Sequence, residues 1–235
     1  MKIGIIGAGM IGRTLARRLT VLGHEVVIAN SRGPESLREF AAETGARAVT
    51  VAEAARGGEI VIVTIPQRAV PDLPGNLFTG VPEDVVVVDT GNYYPTRDGH
   101  INAIEDGQAE SAWVAEHLGR PVVKAFNNIV SQSLLENGRP KGAPGRIALP
   151  VAGDPPQARQ KVMRLVDELG FDPVDAGSLE ESWRQQPGTP CYAADLDAPR
   201  LKEALAEADR GRLPEYRGKA DDAARAFFAS QPQQQ

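Results

Sequence analysis

A chain of 235 residues holds one large α/β domain or a nucleotide-binding domain with a smaller appended part, and 42% hydrophobic and 24% charged residues are ordinary for a globular protein. The formal net charge of -5 gives no general attraction to nucleic acid or to an anionic membrane surface, and no apolar run approaches the roughly 20 residues that span a bilayer. A single cysteine, Cys191, excludes an internal disulfide and fits a reducing cytoplasm, while three scattered histidines leave no metal site to build with it.

The chain opens on a short apolar stretch, Ile3 to Met10, that is rich in glycine and reads as a strand and turn rather than a signal peptide. Apolar, β-branched runs predict strands near residues 2–6, 25–29, 59–65, 84–89, 121–126, 146–152 and 172–175, with a weak one near 46–49. Runs such as Ile60-Val61-Ile62-Val63 and Val85 to Val88 do not alternate, as parallel strands covered on both faces require. Between them lie amphipathic helices. In the first, Ile11, Leu15, Leu19 and Leu22 share a face that Gly23 ends; another runs from about Pro155 to Leu169, with Val162, Leu165 and Val166 apolar and Gly170 after it. This alternation predicts a Rossmann-type, doubly wound, mostly parallel α/β sheet. After residue 128 the pattern loosens into a breaker-rich loop at Asn137 to Gly145, followed by strand, helix, strand and two polar helical stretches near 198–209 and 219–229. The division expected is a Rossmann domain over 1–128 and a smaller α/β extension over 129–235 that shares its core. The terminal Gln231 to Gln235 is expected to fray.

Gly7-Ala8-Gly9-Met10-Ile11-Gly12 fits G-x-G-x-x-G between an apolar strand and an amphipathic helix, which is the context the motif needs. Gly7 permits the tight turn, Gly9 lets the pyrophosphate approach the backbone, and Gly12 lets helix and strand pack closely. The helix N-terminus then presents N–H groups and a positive dipole end to the phosphates. The second strand runs into Asn30-Ser31-Arg32 where an NAD site carries Asp or Glu for the ribose hydroxyls. A hydroxyl and a guanidinium there suit a 2′-phosphate, so the cofactor expected is NADP. Arg32 as a solvated loop residue is the plainer alternative.

Ligands of open sheets lie at the carboxyl ends of the strands, which puts Thr64-Ile65-Pro66 and Asn92 at the nicotinamide. Asn92 can both donate and accept, or it can cap backbone. Lys124-Ala125-Phe126-Asn127-Asn128 ends the next strand on the same edge; Lys124 either faces the substrate or serves as a structural ion-pair partner. The segment Trp183 to Tyr192, with two prolines and a glycine between aromatics, reads as a rigid loop that lines a flat-ring site or as a surface loop packed by its aromatics. No nucleophile elbow, HExxH motif or paired carboxylates can be placed, and His24, His100, His117 and Cys191 read as structural, so no catalytic residue is assigned. A site without an evident acid or base suits hydride transfer between two ring systems, where the protein positions the partners and excludes water.

Gly7 to Gly12, Asn30-Ser31-Arg32, Asp89-Thr90-Gly91-Asn92-Tyr93-Tyr94, Lys124-Ala125-Phe126-Asn127 and Pro187-Gly188-Thr189-Pro190 occur in this order. In this the chain resembles the NADPH-dependent coenzyme F420 reductases (8-hydroxy-5-deazaflavin:NADPH oxidoreductases) and the dinucleotide-binding reductases around them. The resemblance implies reversible hydride transfer between NADP(H) and coenzyme F420, a small-molecule acceptor whose ring stacks on the nicotinamide, in a cytoplasmic enzyme that is commonly a homodimer. It implies that Gly7, Gly9, Met10, Ile11 and Gly12 hold the pyrophosphate and that Ser31 and Arg32 hold the 2′-phosphate. Ile65, Pro66 and Asn92 would flank the nicotinamide, with Ala125 and Phe126 beside the ring stack. Met10 stands where members often carry Asn. Two other readings remain open: a 3-hydroxyacid dehydrogenase or imine reductase, whose long helical C-terminal domain is missing here, and a non-catalytic NADP sensor.

Overall fold

The apolar runs become strands and the amphipathic stretches become their crossovers. In the computed structural model, which describes residues 1–230, the order is β1 (Lys2–Ile6), α1 (Met10–Val21), β2 (Glu25–Ala29), α2 (Arg38–Thr44), β3 (Arg47–Ala48), α3 (Val51–Arg56), β4 (Ile60–Val63) and β5 (Val86–Asp89). Then follow α4 (Pro95–Asp98), α5 (Asn102–Glu105), α6 (Glu110–Leu118), β6 (Val122–Lys124), α7 (Ser131–Glu136), β7 (Ala148–Gly153), α8 (Pro156–Glu168), β8 (Asp172–Asp175), α9 (Ala198–Glu207) and α10 (Leu213–Ser230). The tail expected to fray, Gln231 to Gln235, lies outside the described residues.

One eight-stranded sheet runs β3-β2-β1-β4-β5-β6-β7-β8. Its first six strands are parallel; β7 joins β6 antiparallel, pairing Val123 with Gly153 and Lys124 with Ala152, and β8 pairs parallel to β7. This is the Rossmann-type doubly wound fold, and the strand order reverses beside β1, where its ligands collect. Side chains alternate between two covered faces: Ile3, Ile5, Ile60 and Ile62 meet α1 and α8 through Leu15, Leu19, Val162 and Leu165, whereas Ile6, Val61 and Val63 lie with Trp113 and Val114 of α6. Full burial of each such side chain stabilises by about 1.5–3 kcal/mol, which is why neither face alternates with polar residues.

Two elements differ from the sequence expectation. β6 stops at Lys124 instead of reaching residue 126, because Phe126 adopts φ 61°, a left-handed conformation that takes the chain out of the sheet. The last helix begins at Leu213 rather than near 219. Pro214 reads as a breaker in sequence, yet in the first helical turn it lacks only an N–H that would have had no partner. The helix is docked by Asp221, which accepts from Thr96 N at 2.9 Å, and by Arg217, which donates to the Ile104 carbonyl at 3.0 Å. Arg18 ties α1 to the extension by donating to the Leu134 and Leu169 carbonyls, each at 2.6 Å. No helix among the described residues is long and apolar enough to cross a membrane.

Candidate dinucleotide and acceptor site

The turn after β1 is shaped by what its glycines touch. Gly7 has φ +114°, and a Cβ there would lie 2.1 Å from the Thr64 carbonyl oxygen; a Cβ on Gly12 would lie 2.1 Å from the Gly7 carbonyl oxygen. Both are therefore required by packing against the end of β4 and the loop itself. Gly9 is different: a Cβ built on it meets nothing within 4 Å, so no protein neighbour demands glycine there. It sits at the N-terminus of α1, which has no side-chain cap and no acidic residue in its first turn. By contrast α3 has a full capping box from Thr50 and Glu53. An uncapped N-terminus over an open glycine fits a phosphate, since an anion satisfies the N–H groups and meets the positive dipole end. Met10 and Ile11 follow, exposed and half-buried, with Met10 Sδ 3.9 Å from Ser131 Oγ of α7. Sequence reasoning missed Arg13, whose Nε donates to the Ala8 carbonyl at 2.9 Å while its guanidinium lies 4.8 Å from the Phe40 ring centre.

At the end of β2, Asn30 is used by its own loop: its Oδ1 accepts from Arg32 N at 3.0 Å and its Nδ2 donates to Ser36 Oγ at 2.9 Å. This turn leaves Ser31 and Arg32 exposed, and the Arg32 guanidinium has no partner among the described residues. Thr64, Ile65 and Pro66 are half-buried after β4. Ala125 and Phe126 are 0% exposed and belong to the core, backbone and side chain alike, so they present no open surface for the ring contact the resemblance implies.

The ends of β5 and β6 are joined by an amide ladder. Asn92 Nδ2 donates to the Asn127 carbonyl at 2.9 Å and to Tyr192 Oη at 3.3 Å, and Asn92 Oδ1 accepts from Asn127 Nδ2 at 3.1 Å. Asn127 Nδ2 also donates to the Gln185 carbonyl at 2.6 Å, and its Oδ1 accepts from Gln185 Nε2 at 2.9 Å. The segment Trp183 to Tyr192 therefore divides. Trp183 packs inward with Ala109, Leu213 and Tyr216, Cys191 is buried with its thiol pushed up to about 11, and the half-buried Tyr192 reaches the strand ends. Two further concavities, one between β8 and α9 that Arg184 helps to line and one at the N-terminal ends of β5 and β6, do not reach Asn92, Asn127 or Tyr192.

Lys124, left between two roles by the sequence, is a buried ion-pair partner. It is 0% exposed, and its Nζ lies 3.5 Å from Asp89 Oδ2 and 3.7 Å from Glu110 Oε2 while also donating to the Gly91 carbonyl. Ser111 Oγ donates to Asp89 Oδ2 at 2.6 Å and Gly91 N to Asp89 Oδ1 at 2.8 Å, so the cluster holds the loop that carries Asn92. Burial pushes the Glu110 carboxyl up to about 7, with Lys124 opposing the shift. Between its ordinary value of 4.5 and about 7 the folded chain thus holds a proton that the unfolded chain has released. This group's contribution to stability therefore falls as pH rises through that window and is constant above it. Glu110→Gln is expected to flatten that fall; urea unfolding at about pH 5 and 7.5 checks it, and an equal fall in both proteins contradicts the assignment.

Residues 2–93 match the family described as NADP oxidoreductase, coenzyme F420-dependent. A crystal structure of the hypothetical protein SMa0349 from Sinorhizobium meliloti is similar with 33% identity and a TM-score of 0.70, over 83% of this chain and 95% of that one. A second, titled "putative f420 dependent nadp-reductase" from Arthrobacter sp. FB24, is 25% identical with a TM-score of 0.63, over 88% of this chain and 96% of that one. The match to that family thus runs from β1 through the turn after β5. These likenesses support a Rossmann-type dinucleotide-binding fold for this chain. It is also 50% identical to Escherichia coli (strain K12) YjhV over 82 residues, 33% of this chain and 60% of YjhV. With rat metalloreductase STEAP3 the identity is 28% over 179 residues, 76% of this chain. The chain spans 34% of the length of that metalloreductase and less than two thirds of YjhV.

Proposed function

We propose that the chain transfers hydride between NADP(H) and coenzyme F420, with residues 1–128 holding the dinucleotide and 129–235 bounding the acceptor. The observation that carries the NADP half is the end of β2, where the Arg32 guanidinium is exposed and unpaired among the described residues and no carboxylate stands in the ribose position. The family match over residues 2–93 carries the acceptor half. In this reading Gly7, Gly9, Met10, Ile11 and Gly12 receive the pyrophosphate, and Asn30 shapes the turn from which Ser31 and Arg32 receive the 2′-phosphate. Thr64, Ile65, Pro66 and Asn92 border the nicotinamide, with the buried Ala125 and Phe126 supporting the floor beside the ring stack. The bound dinucleotide supplies the hydride; the chain orients it and keeps water from the rings. We infer a cytoplasmic enzyme that works as a homodimer on a small-molecule acceptor and binds neither nucleic acid nor membrane.

The test incubates the protein with NADPH and a panel of deazaflavin, flavin, imine and keto-acid acceptors and follows absorbance at 340 nm. Oxidation with coenzyme F420 supports the reading, whereas oxidation with keto acids but not the deazaflavin rejects it. Binding without turnover of any acceptor favours a sensor. Arg32→Ala is expected to weaken NADPH by roughly 1.5–3 kcal/mol and NADH far less, because a charge-assisted bond to the 2′-phosphate is lost. Titration of both cofactors decides it, and equal losses remove Arg32 from the 2′-phosphate site.

A further inference from the structure

The sequence offered no acid or base for the reaction, but the folded strand ends bring one together. Tyr192 Oη lies 3.3 Å from Asn92 Nδ2 and is hydrogen-bonded to Tyr94 Oη. The direction of these bonds follows from their neighbours. Asn92 Nδ2 faces the Asn127 carbonyl, which can only accept, so the same nitrogen must donate to Tyr192. Tyr94 is 8% exposed and Tyr192 is its hydroxyl's one partner among the described residues. If Tyr192 donated to Tyr94, the buried Tyr94 hydrogen would be left without an acceptor, an uncompensated cost. With Tyr94 donating, Tyr192 Oη accepts from both Tyr94 and Asn92. Its lone pairs are then used, and its own hydrogen points away from both partners.

We propose that Tyr192 donates a hydrogen bond and then a proton to the hydride acceptor, with Tyr94 and Asn92 as positioning residues. The inference rests on the nicotinamide lying beside Asn92, as in the proposed function. As the acceptor's ring carbon gains the hydride released from the nicotinamide, its displaced π pair moves to the conjugated heteroatom, and the Tyr192 hydrogen goes there. Tyr192, a half-buried residue, recovers its proton from solvent. NADPH, one proton and the oxidised acceptor thus become NADP and the reduced acceptor. Burial pushes the Tyr192 hydroxyl up from its ordinary value, with Glu110 of α6 acting in the same direction and the Tyr94 hydrogen bond and Arg97 opposing it. Burial thus keeps Tyr192 protonated near neutrality, while the Tyr94 hydrogen bond and Arg97 ease the release of its proton.

The experiment compares wild type with Tyr192→Phe and Tyr94→Phe, using NADPH and coenzyme F420. Tyr192→Phe is expected to lower kcat by about 100-fold, the ordinary scale of general acid catalysis, with NADPH affinity held within about twofold. The absorption band of the bound deazaflavin should shift in wild type and not in Tyr192→Phe, which reads the hydrogen bond without turnover. Tyr94→Phe should bind NADPH normally and lose less activity, because Tyr192 keeps its hydrogen but one holder fewer. Wild-type turnover and an unshifted band in Tyr192→Phe overturn the donor role while leaving the proposed function standing. Wild type that reduces an imine or keto acid and not the deazaflavin rejects the acceptor; a 100-fold loss in Tyr192→Phe on that other acceptor still supports the donor. A wild type inert with every acceptor overturns both.

Discussion

Lys124→Met is expected to destabilise the protein by about 3–5 kcal/mol, the usual scale when one partner is removed from a buried ion pair. The reason is the company Lys124 keeps. Asp89 and Glu110 are 2% and 1% exposed, Glu110 Oε2 has no hydrogen bond, and Lys124 supplies the cation 3.5 and 3.7 Å away. A methionine of similar length fills the space but leaves the Asp89 charge buried without a counter-ion. Denaturant unfolding at neutral pH measures the loss, and a cost below about 1 kcal/mol would show that the cluster is not electrostatically coupled. Adding Asp89→Asn to Lys124→Met should restore part of the stability, since the uncompensated charge goes with it. NADPH affinity should fall alongside, because the Lys124 bond to the Gly91 carbonyl and the Asp89 bond to Gly91 N hold the turn beneath Asn92.

Gly9→Val is expected to do the opposite: abolish dinucleotide binding and spare the fold. With φ -74° and ψ -168° at Gly9, valine can adopt the backbone, and its Cβ meets no protein atom within 4 Å. The helix-cap preference lost is about 1 kcal/mol or less. The same branched side chain would stand where the pyrophosphate approaches the α1 N-terminus, so NADPH affinity should fall by more than about 100-fold, roughly 2.7 kcal/mol. Calorimetric titration with NADPH and a thermal melt separate the two effects. Retained affinity would move the phosphates elsewhere, and a collapsed melting temperature would mean that packing, not ligand approach, explains the glycine.

Legibility followed the range of the interaction that carried each feature. The strands were readable because apolar runs covered on both faces leave a local record, and even the two-residue β3 was anticipated near 46–49. The ends of elements were less so. Nothing in Val122 to Phe126 announces that the chain turns left-handed at Phe126, since that conformation is held by the core around its ring. Likewise the sequence could place Lys124 at a strand end but not choose its role, because Glu110 and Asp89, its two carboxylates, come from α6 and β5. The one signal available was a lysine inside an apolar strand, which demands a buried partner without naming it.

By itself the sequence determined the Rossmann fold, the glycine-rich turn between β1 and α1 and the arginine without a carboxylate at the end of β2, all of them short patterns whose chemistry lies within a few neighbouring residues. Only the tertiary structure decided that Asn92, Asn127, Gln185 and Tyr192 form one ladder, that Lys124 is spent on charge balance, and that Tyr94 and Tyr192 meet at the strand ends. The physical reason is separation along the chain: Tyr94 and Tyr192 are 98 residues apart, and no local propensity records which hydroxyl will meet which. Hydrogen bonds of that span are set by how the extension packs on the sheet.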